Sequence, residues 1–297
     1  MTNNPVTKKI AVIGGDARML YCAKKLCEFG FETTVFGFDM AEEIPLGCIK
    51  CNDINDALCG SDCIILPMPL TTDNVTLNMP LSDFSLSLPS LFSFVDKKCA
   101  VFAGNVSIEV SSLAKKFGIK IIDYFDREEL KIANAVLTAE SAVEIAMSNT
   151  SFSITDYPVL VAGYGRIGKA LCRILKAMGC EVFASARKNA DKAWISAFGY
   201  SSLDTGNIRE YIGKCKIVFN TIPNVVFDSD VLSAVSKDAL IIDLASKPGG
   251  VDFEIAKKEK IKVIWALALP GKKLKISAGK AIADTLLNIF EEEGITK

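Results

Sequence analysis

Histidine is absent from the 297-residue chain. Its absence excludes Ser-His and Cys-His nucleophile systems, any histidine-ligated metal, and the histidine–carboxylate pair that many enzymes use as acid and base. Any proton transfer by this protein must therefore use Lys, Asp or Glu, Tyr, a thiol or water.

Long hydrophobic runs and an excess of charge of one sign are also missing. The apolar run Ile64–Leu66 is interrupted by Pro67 and Pro69, so it is too short to span a bilayer. The run Ile10–Ile13 is too short for the hydrophobic part of a secretion signal. A formal net charge of −1 provides no electrostatic footprint for nucleic acid or an anionic membrane. We therefore expect a cytoplasmic protein with neither of these partners.

Cysteine, by contrast, is well represented, with ten residues. Cys48 and Cys51 form a C-x-x-C pair, and Cys59 and Cys63 follow. Four thiolates are a zinc-binding set in principle, but the second spacing is looser than in a zinc ribbon and Cys63 opens a predicted buried strand. We predict reduced structural thiols and no metal.

The most informative motif begins with the apolar run Val159–Ala162, passes through a Gly-x-Gly-x-x-Gly turn and continues into a helical pattern. This order of strand, glycine turn and helix is the dinucleotide-binding fingerprint in its required context. The first glycine allows the tight turn, the second lets a pyrophosphate approach the backbone, and the third lets the helix pack closely on the strand. The predicted cofactor residues of this turn are Gly163, Tyr164, Gly165, Arg166, Ile167 and Gly168.

The end of the next strand indicates which dinucleotide binds. An NAD site carries an acid about 20 residues past the glycines, bonded to the ribose 2′-hydroxyl. Here the strand ends with Ser185, Arg187 and Lys188 instead. A guanidinium suits a phosphate dianion, so the sequence favours NADP, with these three residues around the 2′-phosphate.

The remaining pattern predicts a second α/β half of similar architecture. Half of the residues are hydrophobic and 23% are charged, enough for two cores of ordinary size. We predict two doubly wound Rossmann-like domains, an N-terminal domain at residues 1–137 and a dinucleotide-binding domain at residues 138–277. Thr138 is the expected N-cap of a linker helix, and a final helix at residues 278–297 is expected to pack back on the first domain. The first glycine turn, Gly14-Gly15, lacks the third glycine, so we expect it not to hold the dinucleotide.

Ligands of such sheets lie beyond the carboxyl ends of the strands, and small, polar or turn residues recur there. The segments are Gly14–Arg18, Gly104-Asn105, Asn220–Pro223, Asp243–Gly250 and Leu269–Lys272. The further cofactor candidates from these segments are Asn220, Thr221, Ile222, Pro223, Asp243, Ala245 and Ser246.

Six of these motifs occur in an order that resembles the A subunit of dipicolinate synthase from endospore-forming bacteria: Gly14–Arg18, Thr138–Glu140, Gly163–Gly168, Asn220–Pro223, Asp243–Gly250 and Leu269–Lys272. The resemblance implies an architecture like that of D-2-hydroxyacid dehydrogenases. It implies oxidation of a dihydrodipicolinate-type precursor, from a branch of the lysine/diaminopimelate pathway, to dipicolinate with NADP as acceptor. It also implies that a separate B subunit of dipicolinate synthase is the partner, and that the protein acts in the mother cell during sporulation.

A dicarboxylate substrate of this kind needs cationic residues. Arg18 and Lys272 are the candidates, with Lys247 third, and we expect the substrate in a cleft between the two domains with Arg18 on one carboxylate. Asp16 either orients Arg18, takes a proton, or only caps the first helix.

Two other interpretations stay open. One is an NADP-dependent dehydrogenase of another small carboxylate, and the other is a non-catalytic NADP-binding scaffold protein, because the fingerprint reports binding rather than chemistry. Self-association of the chain also stays open.

Overall fold

A computed structural model describes residues 8–295, and the chain divides into two compact units. The first unit contains the chain up to Ala133 and again from Leu274 onward, and the second unit is Asn134–Lys273. Within the described part of the chain, no helix is both long and apolar enough to cross a membrane.

The first unit is built on a six-stranded sheet in which every pairing between named strands is parallel. Its strands are β1 (Lys9–Ile13), β2 (Glu32–Phe36), β3 (Ile49–Lys50), β4 (Cys63–Ile65), β5 (Ala100–Ala103) and β6 (Ile121–Asp123), in the order β3-β2-β1-β4-β5-β6. The helices along this part of the chain are α1 (Ala17–Phe29), α2 (Ile54–Leu58), α3 (Leu88–Phe94), α4 (Ile108–Lys116) and α5 (Glu128–Asn149). The central strands are almost fully buried, as expected where helices cover both faces of a parallel sheet.

The second unit repeats this architecture with the strand order β12-β11-β10-β7-β8-β9. Its strands are β7 (Val159–Ala162), β8 (Val182–Ala186), β9 (Ser201–Asp204), β10 (Ile217–Asn220), β11 (Leu240–Asp243) and β12 (Lys262–Trp265). The helices are α6 (Arg166–Ala177), α7 (Asn189–Ala197), α8 (Arg209–Ile212), α9 (Ser229–Ser233), α10 (Phe253–Lys258) and α11 (Leu269–Lys273), and α12 (Lys275–Glu292) follows in the first unit. In both sheets the order reverses beside the first strand of the unit, which is the doubly wound Rossmann arrangement. The predicted fold class is thus confirmed.

Local signals explain where α1 and α12 lie. Asp16 caps α1 by accepting from the Arg18 amide, and Gly30 ends the helix at a φ of 105°, a left-handed conformation that favours glycine. A Cβ on Gly279 of α12 would overlap the Arg18 carbonyl oxygen and lie 2.6 Å from Tyr21 Cβ, so this glycine lets the two helix backbones approach. Further along α12, buried residues join the core that α1 covers; they are Ile282, Ala283, Leu286, Ile289 and Phe290.

The predicted helix start at Thr138 needs correction. Helix α5 begins ten residues earlier, at Glu128, and Thr138 lies in its interior. The Thr138 hydroxyl donates to the Asn134 carbonyl at 2.7 Å, one turn back, and therefore does not cap a helix N-terminus. The helix runs across the division between the units at Ala133/Asn134. The final residues of the predicted C-terminal helix, 296 and 297, lie outside the described residues.

Candidate functional site

The three glycines between β7 and α6 have different surroundings. A Cβ on Gly163, which has a φ of 96°, would overlap Thr221 Oγ1, and one on Gly168 would overlap the Gly163 carbonyl oxygen. Gly165, in contrast, is extended, with a φ of −78°, and a Cβ there would meet no atom within 4 Å. Gly163 and Gly168 are therefore required by the turn and by the close packing of α6, whereas Gly165 borders open space.

The first turn of α6 borders the same space. Gly165 is the N-cap and supplies no side-chain hydrogen bond to the helix. Backbone N–H groups at a helix start have no partner within the helix, and together with the helix dipole they favour an anion. The open space at Gly165 and this helix start are together suited to a phosphate group.

A cavity of about 270 Å³ lies in front of this turn. The residues that line it come from the turn, from the end of β8, from α7 and from the segments after β9 and β10; they are Gly163, Tyr164, Gly165, Ala186, Arg187, Lys188, Asp191, Thr205, Thr221, Ile222 and Pro223. Arg187 and Lys188 are both exposed. Burial raises the pKa of Tyr164 to about 12, so its hydroxyl stays protonated at neutral pH and is a poor general base.

Several predicted cofactor residues do not line the cavity but lie behind the residues that do. Ser185 is completely buried, and its Oγ is 3.4 Å from Thr205 Oγ1 and 3.4 Å from the Gly163 amide nitrogen. Arg166, Ile167 and Gly168 belong to the first turn of α6 and do not line the cavity. Ser185 and Gly168 both lie against Gly163 and so support the turn, and Thr205, whose hydroxyl contacts that of Ser185, lines the cavity.

Asn220 and Asp243 form a buried polar network at the ends of β10 and β11. Both are fully buried, and Asn220 Nδ2 donates to Asp243 Oδ1 at 2.8 Å and to the Ile222 carbonyl at 3.0 Å. Asp243 also accepts from the Ala245 and Gly250 amides, at 3.0 and 2.8 Å. The two side chains thus hold the loops that follow their strands. Ser246 is exposed beside this network.

The sequence does not predict three of the residues that line the cavity, Ala186, Asp191 and Thr205. Thr205 follows β9, a polar strand, and its turn is held by Asp204, which accepts from Lys192 at 2.8 Å and from the Gly206 amide at 3.0 Å. The Lys192 hydrogen bond holds the pKa of the Asp204 carboxyl below its usual range. Asp191, in the first turn of α7, adds an acid to a wall with two cations. Its position one helical turn past Lys188 is the signal that could have identified it.

The glycine turn of the first unit is filled by protein. A Cβ on Gly14 would lie 2.6 Å from Met79 Cγ, and one on Gly15 would lie 3.0 Å from Pro67 Cβ. Met79 Cε also overlaps the Cβ position of Gly37, at the end of β2. The buried Met79 side chain therefore packs directly against Gly14 and Gly37, and Asp16 is the N-cap here, as Gly165 is in the second unit.

Arg18 and Asp16 of the first unit form a bidentate ion pair. Arg18 Nε donates to Asp16 Oδ1 and Arg18 Nη2 to Asp16 Oδ2, both at 2.9 Å, and Nη2 also donates to the Met68 carbonyl at 2.5 Å. Only 14% of the Arg18 side chain is exposed. Asp16 thus caps α1 and orients Arg18 at once, which leaves Nη1 as the guanidinium nitrogen outside these bonds.

The other cationic candidates lie on the second unit. Lys272 is exposed in the short helix α11, and Lys247 is exposed in the loop after β11. Among residues 8–295 no three or more cysteine, histidine or carboxylate side chains are grouped as metal ligands, and the ten cysteines are free thiols.

The two doubly wound units and the glycine turn opening on a cation-bearing cavity define an α/β protein of the two-domain dehydrogenase class. A family model for the D-isomer specific 2-hydroxyacid dehydrogenase, NAD binding domain, matches residues 135–248. A second family model, for the N-terminal domain of the dipicolinate synthase A subunit, matches residues 9–125. The first of these matches indicates a nicotinamide cofactor and a dehydrogenase-type role.

Similarity over the whole chain is more specific. The dipicolinate synthase A subunit of Bacillus subtilis (strain 168) is 33% identical over 287 residues, which are 96% of this chain and 96% of that protein. The crystal structure of the A subunit from Bacillus halodurans has a TM-score of 0.85 at 30% identity, covering 95% of this chain and 97% of that one. Escherichia coli D-lactate dehydrogenase, at 15% identity, a TM-score of 0.60 and 96% and 97% coverage, shares the fold. The chain belongs to the family of dipicolinate synthase A subunits.

Proposed function

We propose that this protein oxidises a dihydrodipicolinate-type precursor to dipicolinate, pyridine-2,6-dicarboxylate, by hydride transfer to NADP⁺, in sporulating cells and with a separate B subunit as partner. Membership of the family of dipicolinate synthase A subunits over nearly the whole chain carries this proposal. The cavity at Gly165 supports its cofactor half, because open space, a helix N-terminus and two cations meet there.

The residues of the second unit fit NADP in two places. The open space at Gly165 and the first turn of α6 suit the pyrophosphate. Arg187, Lys188 and Thr205 suit the 2′-phosphate, with Ser185 behind them as support for the turn. Asp191 opposes a phosphate dianion, so two cations and one acid determine the preference between NADP and NAD.

The loops around the cavity keep their shape through internal bonds. Asn220 and Asp243 hold the segments that begin at Thr221 and Ala245, and the Thr221 hydroxyl donates to the Ala162 carbonyl at 2.9 Å. We therefore assign Asn220 and Asp243 the role of positioning residues for the cofactor wall. Fixed walls of this kind favour hydride transfer because the reacting atoms are held in position.

The absence of histidine is compatible with this chemistry. NADP⁺ supplies the hydride acceptor when bound, and loss of a hydride and a proton from a dihydropyridine ring leaves an aromatic product. The protein then mainly has to hold the two carboxylates of the substrate, so that the substrate binds in one alignment. Arg18, oriented by Asp16, is assigned to one carboxylate, and Lys272 is the second candidate.

The direct test mixes the purified chain, NADP⁺ and freshly prepared dihydrodipicolinate precursor, with and without the B subunit. We expect dipicolinate and NADPH, each followed by its ultraviolet absorbance, to form together in equal amounts. Turnover with another small carboxylic acid but not this precursor would replace the substrate assignment. Tight NADP(H) binding without turnover under either condition would identify a scaffold protein.

A further inference from the structure

Two cysteines of the first unit that have no part in the proposed function are in contact. Cys27 lies near the end of α1, and Cys48 lies in the loop between β2 and β3. Their Sγ atoms are 3.3 Å apart, and both are half-buried free thiols.

Ordered backbone holds both residues. The Cys27 carbonyl accepts from the Gly30 amide at the end of α1, at 2.9 Å, and the Cys48 amide donates to the Pro45 carbonyl at 3.1 Å. Gly47, at a φ of 91°, directs its Cβ position to within 3.6 Å of Cys27 Cβ. The loop backbone therefore lies directly against Cys27, and the sulfur contact results from the path of the main chain.

We propose that Cys27 and Cys48 form a site of reversible disulfide formation, oxidised by a low-molecular-weight disulfide. A disulfide has an S–S distance of about 2.05 Å, so only a small approach of the two sulfur atoms is required. Because the pair is used neither by the cofactor cavity nor by Arg18, this inference is independent of the proposed function.

The reaction proceeds by two thiol–disulfide exchanges. The Cys27 thiolate attacks the small disulfide, forms a mixed disulfide and releases one small thiolate. Cys48 then loses its proton and attacks the Cys27 sulfur, which forms the protein disulfide and releases the second small thiolate. Two protein thiols are oxidised and one small disulfide is reduced to two thiols, without any other reactant.

The environment of Cys48 makes the second exchange slow at neutral pH. In the reduced pair the pKa of the Cys48 thiol is well above its ordinary value, with burial as the largest cause and the contact with the Cys27 thiol next. Only the contribution of burial applies once Cys27 has become the mixed disulfide. Since the thiolate is the attacking species, bridge formation should accelerate as the pH rises from neutral to mildly alkaline.

The bridge would join two walls of a second cavity, of about 540 Å³. Helix α1 contributes Leu20, Tyr21 and Lys24 to this cavity, and the loop after β2 contributes Met40, Pro45 and Leu46. Leu46 is 95% exposed, so the protein does not cover the loop at this residue, just before Cys48. A covalent link from α1 to Cys48 should therefore restrain the loop.

The test uses the full reduced chain, incubated with oxidised glutathione and then alkylated. Peptide mapping by mass spectrometry should find one new disulfide, joining the peptides that contain Cys27 and Cys48, and reductant should reverse it. Cys27→Ser and Cys48→Ser should abolish the bridge, while Cys59→Ser, at an exposed thiol, should retain it. Hydrogen exchange of residues 38–48 should slow in the bridged form.

The map of the unaltered chain identifies the pairing whether or not the variants fold. A bridge between Cys48 and Cys51, a stable glutathione adduct without an internal bridge, or no oxidation at all would each overturn the proposal. If hydrogen exchange of residues 38–48 has the same rate in the bridged and reduced forms, the bridge does not restrain the loop.

Discussion

Arg187 is the residue on which the proposed preference for NADP depends most directly. It is exposed at the cavity wall beside Lys188 and Thr205. We expect Arg187→Ala to weaken NADP(H) binding by about 1–3 kcal/mol, the range for losing a hydrogen bond to a charged group, and to leave NAD(H) binding nearly unchanged. Calorimetric titration of both cofactors measures this. Arg173→Ala, which removes an exposed guanidinium from α6, is the matched control. Equal affinity of the unaltered chain for both cofactors would contradict NADP preference.

The glycines of the second unit allow folding and binding to be separated. Gly165→Val places a side chain in open space with an allowed φ, so it should cost about 1 kcal/mol or less in stability, the penalty of a poorer N-cap, and abolish cofactor binding. Gly168→Ala overlaps the Gly163 carbonyl and should destabilise the unit instead. Thermal unfolding followed by circular dichroism, together with cofactor titration, distinguishes the two. Unchanged NADP(H) affinity in Gly165→Val would mean that the dinucleotide binds elsewhere.

Arg18 is expected to affect the binding of the substrate and not that of the cofactor. Arg18→Ala should raise the apparent KM for the dicarboxylate or abolish turnover, because a largely buried cation facing a carboxylate costs several kcal/mol to remove. Arg18→Lys should restore activity only in part, since an ammonium lacks the bidentate fork that pairs with Asp16. Steady-state kinetics beside NADP(H) titration measures the effect, with Lys24→Ala on the same helix as control. If both Arg18 variants have unaltered kinetics, Arg18 is a capping and packing residue and Lys272 is the next candidate.

At the scale of elements, the contact of α1 with α12 depends on one small residue. Gly279→Ala would push a Cβ into the Arg18 carbonyl and to 2.6 Å from Tyr21 Cβ, and both belong to a helix that cannot shift cheaply. We expect a loss of about 1–3 kcal/mol in the free energy of unfolding, as for overpacking in other cores. Denaturant unfolding measures it, with Lys280→Ala, an exposed change on α12, as control. Equal stability of both variants would show that the helices separate at little cost.

The sequence predicts elements best where a buried apolar run is bounded by turn residues. Strand β7 coincides with the apolar run Val159–Ala162 of the sequence, because the glycine turn that follows it ends the run unambiguously. Strand β9 is Ser-Ser-Leu-Asp and β3 has two exposed residues, so neither has the apolar pattern of a buried strand. The sequence misplaces the start of α5 at Thr138, since a threonine before an acid resembles a cap, although here that threonine bonds back into the helix.

The sequence predicts the glycines and cations that line the cavity of the second unit and misses some of their neighbours. Motif spacing identifies Gly163, Gly165 and Arg187, because they lie within one strand–turn–helix–strand unit. Thr205 reaches the cavity only through the pairing of β9 with β8, which no local pattern encodes, whereas Asp191 lies one helical turn past Lys188 and has a local signal. The polarity of Asn220 and Asp243 alone suggests direct contact with a ligand. Both are buried and hydrogen-bonded, however, and hold the loops that follow their strands.

For the whole molecule, the two units differ in what their glycine turns accommodate. The N-cap of the first turn is Asp16, whose carboxylate opposes a phosphate, whereas the N-cap of the second turn is Gly165, which borders open space. We therefore expect one NADP(H) per chain, which calorimetric stoichiometry measures directly. A second bound dinucleotide per chain would contradict this difference between the two turns.

The chain leaves the first unit through α5, forms the second unit without interruption, and returns with α12. Phe290 of α12 packs its ring 5.1 Å from Phe102 and 5.7 Å from Phe31, deep in the core of the first unit. On the ribosome, the second unit is therefore complete in sequence while the first still lacks its last helix. Domains of most proteins fold in order from the N-terminus during synthesis. Here the part of the protein that is translated first is the last to be finished.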